Sequence, residues 1–99
     1  MCGIVGWLSY SQDMQAQRNM LKRMTETMAN RGPDAEGIWI AGPIGFGHRR
    51  LSIIDLEGGR QPMLARRDDG LEAAAITYSG EAYNFRELRA ELKGRGHRF

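Results

Sequence analysis

The sequence predicts an α+β fold, in which short strands form sheets and helices lie against them. Three observations predict it. Apolar runs of five to seven residues alternate with turn residues along most of the chain. Two longer stretches carry apolar residues at helical spacing. The order is strand, helix, several strands, helix, and such a mixture buries its apolar faces by layering helices on sheets.

Gly3–Ser9 opens the chain as a buried strand, with Ile4, Val5, Trp7 and Leu8 in one apolar run. Ser11-Gln12-Asp13 is a turn and the N-cap of a helix over Met14–Met28. Met14, Leu21, Met24 and Met28 share one face of that helix, and Arg18, Lys22, Arg23 and Glu26 share the other. The methionine stripe is core packing. Asn30-Arg31-Gly32-Pro33-Asp34 stops the helix. Gly37–Ala41 and Ile44–Arg49 are two strands around the turn Gly42-Pro43, and Leu51–Leu56 is a third, rich in β-branched residues. Glu57–Pro62 is a loop and Arg66–Gly70 a charged turn. Ala73–Tyr78 is the fifth strand. Asn84–Lys93 is the second helix, with Asn84 and Glu87 spaced as in a capping box and Phe85, Leu88 and Leu92 as its apolar stripe. Gly94 and Gly96 end it. Trp7, Trp39 and Tyr83 are expected to pack. There are no repeats and no low-complexity tracts.

Ninety-nine residues make one small domain with a modest core. A net charge of +2, with basic residues scattered among acidic ones, argues against a nucleic-acid partner. No apolar run is long enough to span a bilayer, and no basic segment precedes the apolar opening as in a signal peptide. The expected compartment is the cytoplasm. One cysteine and two histidines offer neither a disulfide nor metal-ligand spacing.

That one cysteine stands at position 2. A small second residue favours removal of Met1, which would leave Cys2 with a free α-amine on the carbon that bears its thiol. In model peptides the α-amine titrates at about 7.7–8.0 and the thiol at about 8.5. Nucleophile and general base would then occupy one residue. Read from position alone, Cys2 serves equally as a small buried hydrophobe.

Four stretches carry more than their local structure. They are Met1-Cys2-Gly3-Ile4-Val5-Gly6-Trp7; Arg31-Gly32-Pro33-Asp34-Ala35-Glu36-Gly37; Gly47-His48-Arg49-Arg50-Leu51-Ser52-Ile53-Ile54-Asp55-Leu56, running on to Met63; and Tyr78-Ser79-Gly80-Glu81-Ala82-Tyr83-Asn84-Phe85-Arg86-Glu87-Leu88-Arg89. In order and spacing they resemble the glutamine-hydrolysing asparagine synthetases, over essentially the whole chain. The likeness is to the N-terminal class II glutaminase half. It implies the first part of an N-terminal-nucleophile (Ntn) hydrolase-type αββα sandwich, with Cys2 at the start of a central strand. Related amidotransferases differ more at the third stretch, and the β-lactam synthetases lack the cysteine.

The resemblance implies roles residue by residue. Cys2 matches the nucleophile that attacks the side-chain amide of glutamine and releases ammonia. Arg50 matches the arginine that grips the glutamine α-carboxylate, chosen over Arg49 by motif register alone. Leu51, Ser52, Ile53 and Ile54 would line the pocket through their backbone. Glu81 matches the acid that receives the α-ammonium, and Gly80 the glycine whose N–H faces the oxyanion. Ser79 is a departure, since the family carries Asn there. A hydroxyl on a shorter arm could donate directly, through a water, or not at all. Arg31 and Asp34 match supports beside the nucleophile, or form a solvated turn pair. His48 reads as a structural strand histidine.

The family's glutaminase is roughly twice this length, so the chain reads as residues 1–99 of a truncated domain. The synthetase domain, where ATP and Mg2+ would act on aspartate, is absent. No cofactor belongs to this segment, and glutamine is its only expected small-molecule partner. Three readings follow. The chain is the glutaminase part of an asparagine synthetase, inactive by itself; it is a non-catalytic fragment or pseudo-enzyme remnant; or its parent amidates a different carboxylate acceptor.

Overall fold

The computed structural model describes residues 2–51 and 59–98. Its elements run β1 (Gly3–Leu8), α1 (Arg18–Glu26), β2 (Ala35–Ala41), β3 (Ile44–Arg50), β4 (Met63–Arg66), β5 (Glu72–Ile76) and α2 (Phe85–Gly94). The result is a mixed α/β domain. β1, β3 and β2 form one antiparallel sheet with β3 in the middle, and β4 and β5 pair as a separate hairpin. Among the described residues, the strand that follows Cys2 lies at one side of its sheet, paired with β3 alone. The fourth stretch expected to be a strand, Leu51–Leu56, lies outside the described residues except for Leu51, which is not in a strand.

The β2–β3 hairpin closes with a two-residue loop, since Ala41 pairs with Ile44. Gly42 supplies its φ of +53°, a left-handed value that the first residue of such a loop requires. Pro43 suits the second position, and its carbonyl accepts the Ser9 N–H at 2.8 Å, which fastens the end of β1.

The sheet has two unlike faces. Gly3, Val5 and Trp7 of β1 share one with Gly45, Gly47 and Arg49 of β3 and with Ile38 and Ile40 of β2. Helix α1 lies on this face. A Cβ at Gly45 would stand 2.8 Å from Leu21 Cδ2, and one at Gly47 would stand 2.7 Å from Val5 Cγ1 and overlap the Thr25 hydroxyl. The two glycines are what lets the helix come so close. Leu21 and Thr25 are fully buried there, and Met14 is buried too, whereas Met24 and Met28 of the expected stripe are only partly buried.

The helix is shorter than the predicted Met14–Met28. Residues 14–17 form turns closed by i→i+3 bonds, Ala16 N–H to Asp13 O at 3.1 Å and Gln17 N–H to Met14 O at 3.0 Å. Asp13 caps that turn, accepting the Gln15 N–H at 3.1 Å, while α1 itself starts at Arg18, its N-cap Gln17 making no side-chain cap bond. At the other end the Thr25 and Thr27 hydroxyls donate back to the carbonyls of Leu21 (2.8 Å) and Met24 (2.6 Å). Such back-bonding competes with the helix ladder. The chain leaves α1 at Glu26 and continues in turns to Arg31.

The other face bears Ile4, Ile44, Phe46, His48, Arg50, Gly37 and Trp39. Trp39 and Phe46 stack tilted with ring centroids 5.5 Å apart. The β4–β5 hairpin reaches this face. Trp39 Nε1–H donates to Glu72 Oε2 at 3.0 Å, and the Gln61 backbone lies so near Gly37 that a Cβ there would overlap it. β4 was not expected from sequence; it is only four residues long. β5 spans Glu72–Ile76 where Ala73–Tyr78 was expected, and the charged turn between the two strands forms as expected, with Gly70 at φ +84°.

α2 packs on no other described element, and Phe85, Leu88 and Leu92 are partly exposed. Asn84 makes no side-chain cap bond, so the expected capping box is not formed. The C-terminus is a complete Schellman motif. His97 N–H donates to Leu92 O and Gly96 N–H to Lys93 O, both at 3.0 Å, with Gly96 at φ +94°. Tyr83 is 92% exposed and packs on nothing, against expectation.

Candidate active site

β3 carries two arginines in succession, and strand alternation sends them to opposite faces. Arg49 points to the α1 side. Its Nε donates to Gly32 O at 2.8 Å and its terminal nitrogen stands 3.5 Å from Glu36 Oε2. It ties β3 to the turn after α1. Arg50 points to the other face, where its guanidinium lies against Gly59 so closely that a Cβ there would overlap it. The Arg50 backbone also holds the 33–35 segment, accepting the Asp34 N–H at 2.9 Å.

Cys2 stands one step beyond the pair Gly3↔Arg49, on the face that carries His48 and Arg50. The Leu51 N–H donates to Cys2 Sγ at 3.5 Å, and the Sγ–H faces Leu51 O at 4.0 Å. A backbone donor aimed at sulfur is complementary to a thiolate.

A cleft of about 330 Å³ opens in front of this sulfur. Cys2, His48, Arg50 and Leu51 line one side; Gly59 and Gln61 line the floor between the sheets; Tyr78, Ser79, Gly80 and Glu81 line the other side. The second wall is the chain that leaves β5. Among the described residues two side-chain bonds fasten it: Tyr78 N–H donates to Gln61 Oε1 at 3.2 Å, and Thr77 Oγ1 shares a hydrogen bond of 2.8 Å with His48 Nδ1. The Tyr78 ring folds over Gly80, where a Cβ would come within 2.9 Å of Tyr78 Oη.

His48 sits behind the cleft with 1% of its surface exposed. Burial first, and the neighbouring Arg50 cation second, hold its pKa below the ordinary 6.5. The imidazole is therefore neutral at physiological pH. A larger cavity of about 520 Å³ lies on the far side of His48 and Arg50, against Trp39, Pro62 and Leu64. It holds no nucleophile. The thiol lines the smaller cleft.

Of the residues singled out from sequence, Cys2, Arg50, Leu51, Ser79, Gly80 and Glu81 come together around one cleft. Ser52, Ile53 and Ile54 lie outside the described residues. Arg31 and Asp34 do not line the cleft; both sit in the turn that Arg49 and Arg50 anchor from behind. Tyr78, Gln61 and Gly59 fall within the stretches that carry the resemblance but have no role assigned from sequence, and Thr77 lies outside them. The signal for Thr77 and Tyr78 was adjacency to Ser79-Gly80-Glu81 at a strand end. For Gln61 and Gly59 no local pattern announces the contact. No three His, Cys, Asp or Glu side chains among the described residues gather as a metal site, and no helix there is long and apolar enough to cross a membrane.

Residues 1–99 match the family model of the glutamine amidotransferase domain. Asparagine synthetase [glutamine-hydrolyzing] 3 of Bacillus subtilis (strain 168) is 42% identical over 99 residues, covering 100% of this chain and 16% of that protein. The asparagine synthetase [glutamine-hydrolyzing] of Brassica oleracea is 39% identical over 99 residues, again 16% of its length. A putative asparagine synthetase [glutamine-hydrolyzing] 2 of Methanocaldococcus jannaschii is 39% identical over 107 residues, covering 93% of this chain and 20% of that protein. The chain thus spans a minor part of the length of these relatives.

Proposed function

The chain belongs to the family of glutamine amidotransferase domains, and on that premise we propose that it carries the glutamine-hydrolysing site of an asparagine synthetase, with Cys2 as nucleophile. The observation that supports this most is the convergence of Cys2, Arg50 and Ser79–Glu81 on one cleft from three separate parts of the chain. The layering of α1, the three-stranded sheet and the β4–β5 hairpin is read as the first part of an Ntn-type αββα sandwich, residues 1–99 forming the N-terminal portion of the glutaminase domain.

In this reading Met1 is removed and the Cys2 amine is free. The thiol gives its proton to that amine as sulfur attacks the side-chain amide carbon of glutamine. The carbonyl oxygen becomes an oxyanion that the Gly80 N–H and the Ser79 hydroxyl face. Collapse of the tetrahedral intermediate breaks the C–N bond. The Cys2 ammonium returns its proton to the leaving nitrogen, and ammonia departs. Water then attacks the thioester, its proton passing through the same amine, and glutamate and the thiol are restored. Arg50 holds the α-carboxylate with a planar, charge-assisted fork, and Glu81 holds the α-ammonium. His48, buried and neutral, takes no proton in this sequence. Aspartate, ATP and Mg2+ belong to the remainder of such a parent; no residue described here is assigned to them.

The test is glutamine hydrolysis by the full-length protein, measured as glutamate and ammonia released. Cys2→Ala should abolish it, and the mass of the active protein should lack Met1. A parent that hydrolyses glutamine equally well without the thiol would overturn the assignment. A parent with no hydrolysis at all would favour the pseudo-enzyme reading, to which Ser79 in place of Asn already points.

A further inference from the structure

We infer that His48 is a positioning residue, which holds the Ser79–Glu81 wall of the cleft against Cys2 and Arg50 through its hydrogen bond to Thr77. The inference rests on the glutaminase reading for its catalytic consequence, but the contact itself stands apart from it.

The cleft has two walls from different sheets. One is the β3 end with Arg50, paired with the start of β1 behind Cys2. The other is the segment that follows β5, from Thr77 to Glu81, and it belongs to no strand or helix. Among the described residues, its side-chain ties to the rest of the domain are the His48 Nδ1 bond at 2.8 Å and the Gln61 bond at 3.2 Å. The first is the shorter, and its histidine is rigidly held, buried in the middle strand of the sheet. Thr77 stands two residues before Ser79 and three before Gly80, so a shift at Thr77 is carried directly to the residues that face the oxyanion. Catalytic donors lose much of their effect when displaced by an ångström.

A second observation argues that the imidazole is there for more than packing. His48 Nε2 is buried and has no hydrogen-bond partner among the described residues. A buried nitrogen without a partner costs free energy, and an apolar side chain of similar size would avoid that cost. What an apolar side chain would not supply is the Nδ1 bond. Burial and the nearby Arg50 keep the ring neutral, so it adds no second cation beside the arginine assigned to the carboxylate. A neutral ring bonds Thr77 in either tautomer, since a hydroxyl both donates and accepts.

The test compares Thr77→Val, which keeps the side-chain shape and removes the hydroxyl, with Thr77→Ser, which keeps the hydroxyl, in the full-length protein. Two readouts are taken: amide hydrogen exchange of the 77–84 peptide against that of the 3–8 and 44–49 peptides, and kcat/KM for glutamine hydrolysis. Thr77→Val should speed exchange of 77–84 several-fold, leave the two sheet peptides unchanged, and lower kcat/KM roughly tenfold, the worth of one ordinary hydrogen bond. Thr77→Ser should restore both. His48→Asn, whose amide can occupy the Nδ1 position, should retain more activity than His48→Leu. Exchange of 77–84 at the wild-type rate in Thr77→Val would overturn the inference, as would failure of Thr77→Ser to rescue. If exchange responds as expected but the wild-type protein hydrolyses no glutamine, the positioning contact stands and its catalytic consequence falls with the glutaminase reading.

Discussion

Replacing each of two adjacent arginines by lysine separates the site from the scaffold. Arg50→Lys keeps a positive charge on the cleft face but removes the planar fork. A guanidinium makes two parallel bonds to a carboxylate, and an ammonium makes one of comparable quality. A hydrogen bond involving charged groups contributes about 1.5–3 kcal/mol. Losing one such bond weakens glutamine binding roughly 10- to 150-fold, using about 1.4 kcal/mol per factor of ten. The loss should appear in KM for glutamine, because the α-carboxylate is bound equally in the ground and transition states. Arg49→Lys should do the reverse. Its guanidinium serves Gly32 O at 2.8 Å and Glu36 at 3.5 Å on the opposite face. Lysine loses the fixed Nε donor, at a cost of about 1 kcal/mol in stability, and KM should change by less than about a factor of two. The assay is glutamate release over a glutamine titration, with a thermal melt on each variant. A KM defect in Arg49→Lys with none in Arg50→Lys would refute both the register and the role given to Arg50.

Three further outcomes are expected. Gly47→Ala should destabilise the domain by about 1–3 kcal/mol through overpacking against Val5 and Thr25, whereas Gly6→Ala, whose Cβ would meet only the Phe46 ring at 3.7 Å, should be tolerated; melts of the two variants test this. Ser79→Asn should raise kcat for glutamine hydrolysis by up to ~10²-fold with little change in KM, because the longer amide reaches an oxyanion the hydroxyl meets on a shorter arm; an unchanged or lower kcat would show that Ser79 already serves. His48, with its pKa held below 6.5, should make stability fall as pH drops from about 6.5 toward the lowered folded value. In that window the unfolded chain binds a proton that the folded site, facing Arg50, Cys2, Thr77 and Gln61, resists. Melting temperatures of His48→Asn against pH should show a flatter slope between pH 7 and 5.

The features legible in sequence were those set by local chemistry. The turn Gly42-Pro43 marks its hairpin because only certain residues suit a two-residue loop. The stripe Met14, Leu21, Met28 marks the helix face because periodicity is local. What was not legible depends on partners far along the chain. Nothing near Gly3 says that β1 will pair with β3, and nothing near Met63 says that four residues will find Glu72–Ile76. Asn84 and Glu87 have the spacing of a capping box but do not close one, because spacing permits a bond without requiring it. Tyr83 was expected to pack from its size, and size says nothing of what lies opposite. At the site, Cys2 was conspicuous by position. The choice of Arg50 over Arg49 needed a family likeness, although strand parity carries the same information once β3 is known to be central.

That parity also explains how a small domain accommodates close packing and an open cleft at once. Successive residues of β3 face opposite ways, so Gly45, Gly47 and Arg49 face the helix side while Phe46 stacks on Trp39 and His48 and Arg50 line the cleft. The helix side is held by buried contact of Leu21 and Thr25 with the sheet at Gly45 and Gly47. Among the described residues, the cleft side is bridged by separate side-chain bonds, Trp39 to Glu72, His48 to Thr77 and Gln61 to Tyr78. Interactions so unlike in kind respond differently to substitution. A change on the helix face alters packing that the whole sheet shares, and it should move stability and activity together. A change at one of the three bonds should move the second wall of the cleft while α1 and its sheet stay folded. Sites whose parts move relative to one another are drawn from the less stable regions of a fold. The segment from Thr77 to Glu81 is such a region, and activity should follow how firmly it is held more closely than it follows the stability of the core.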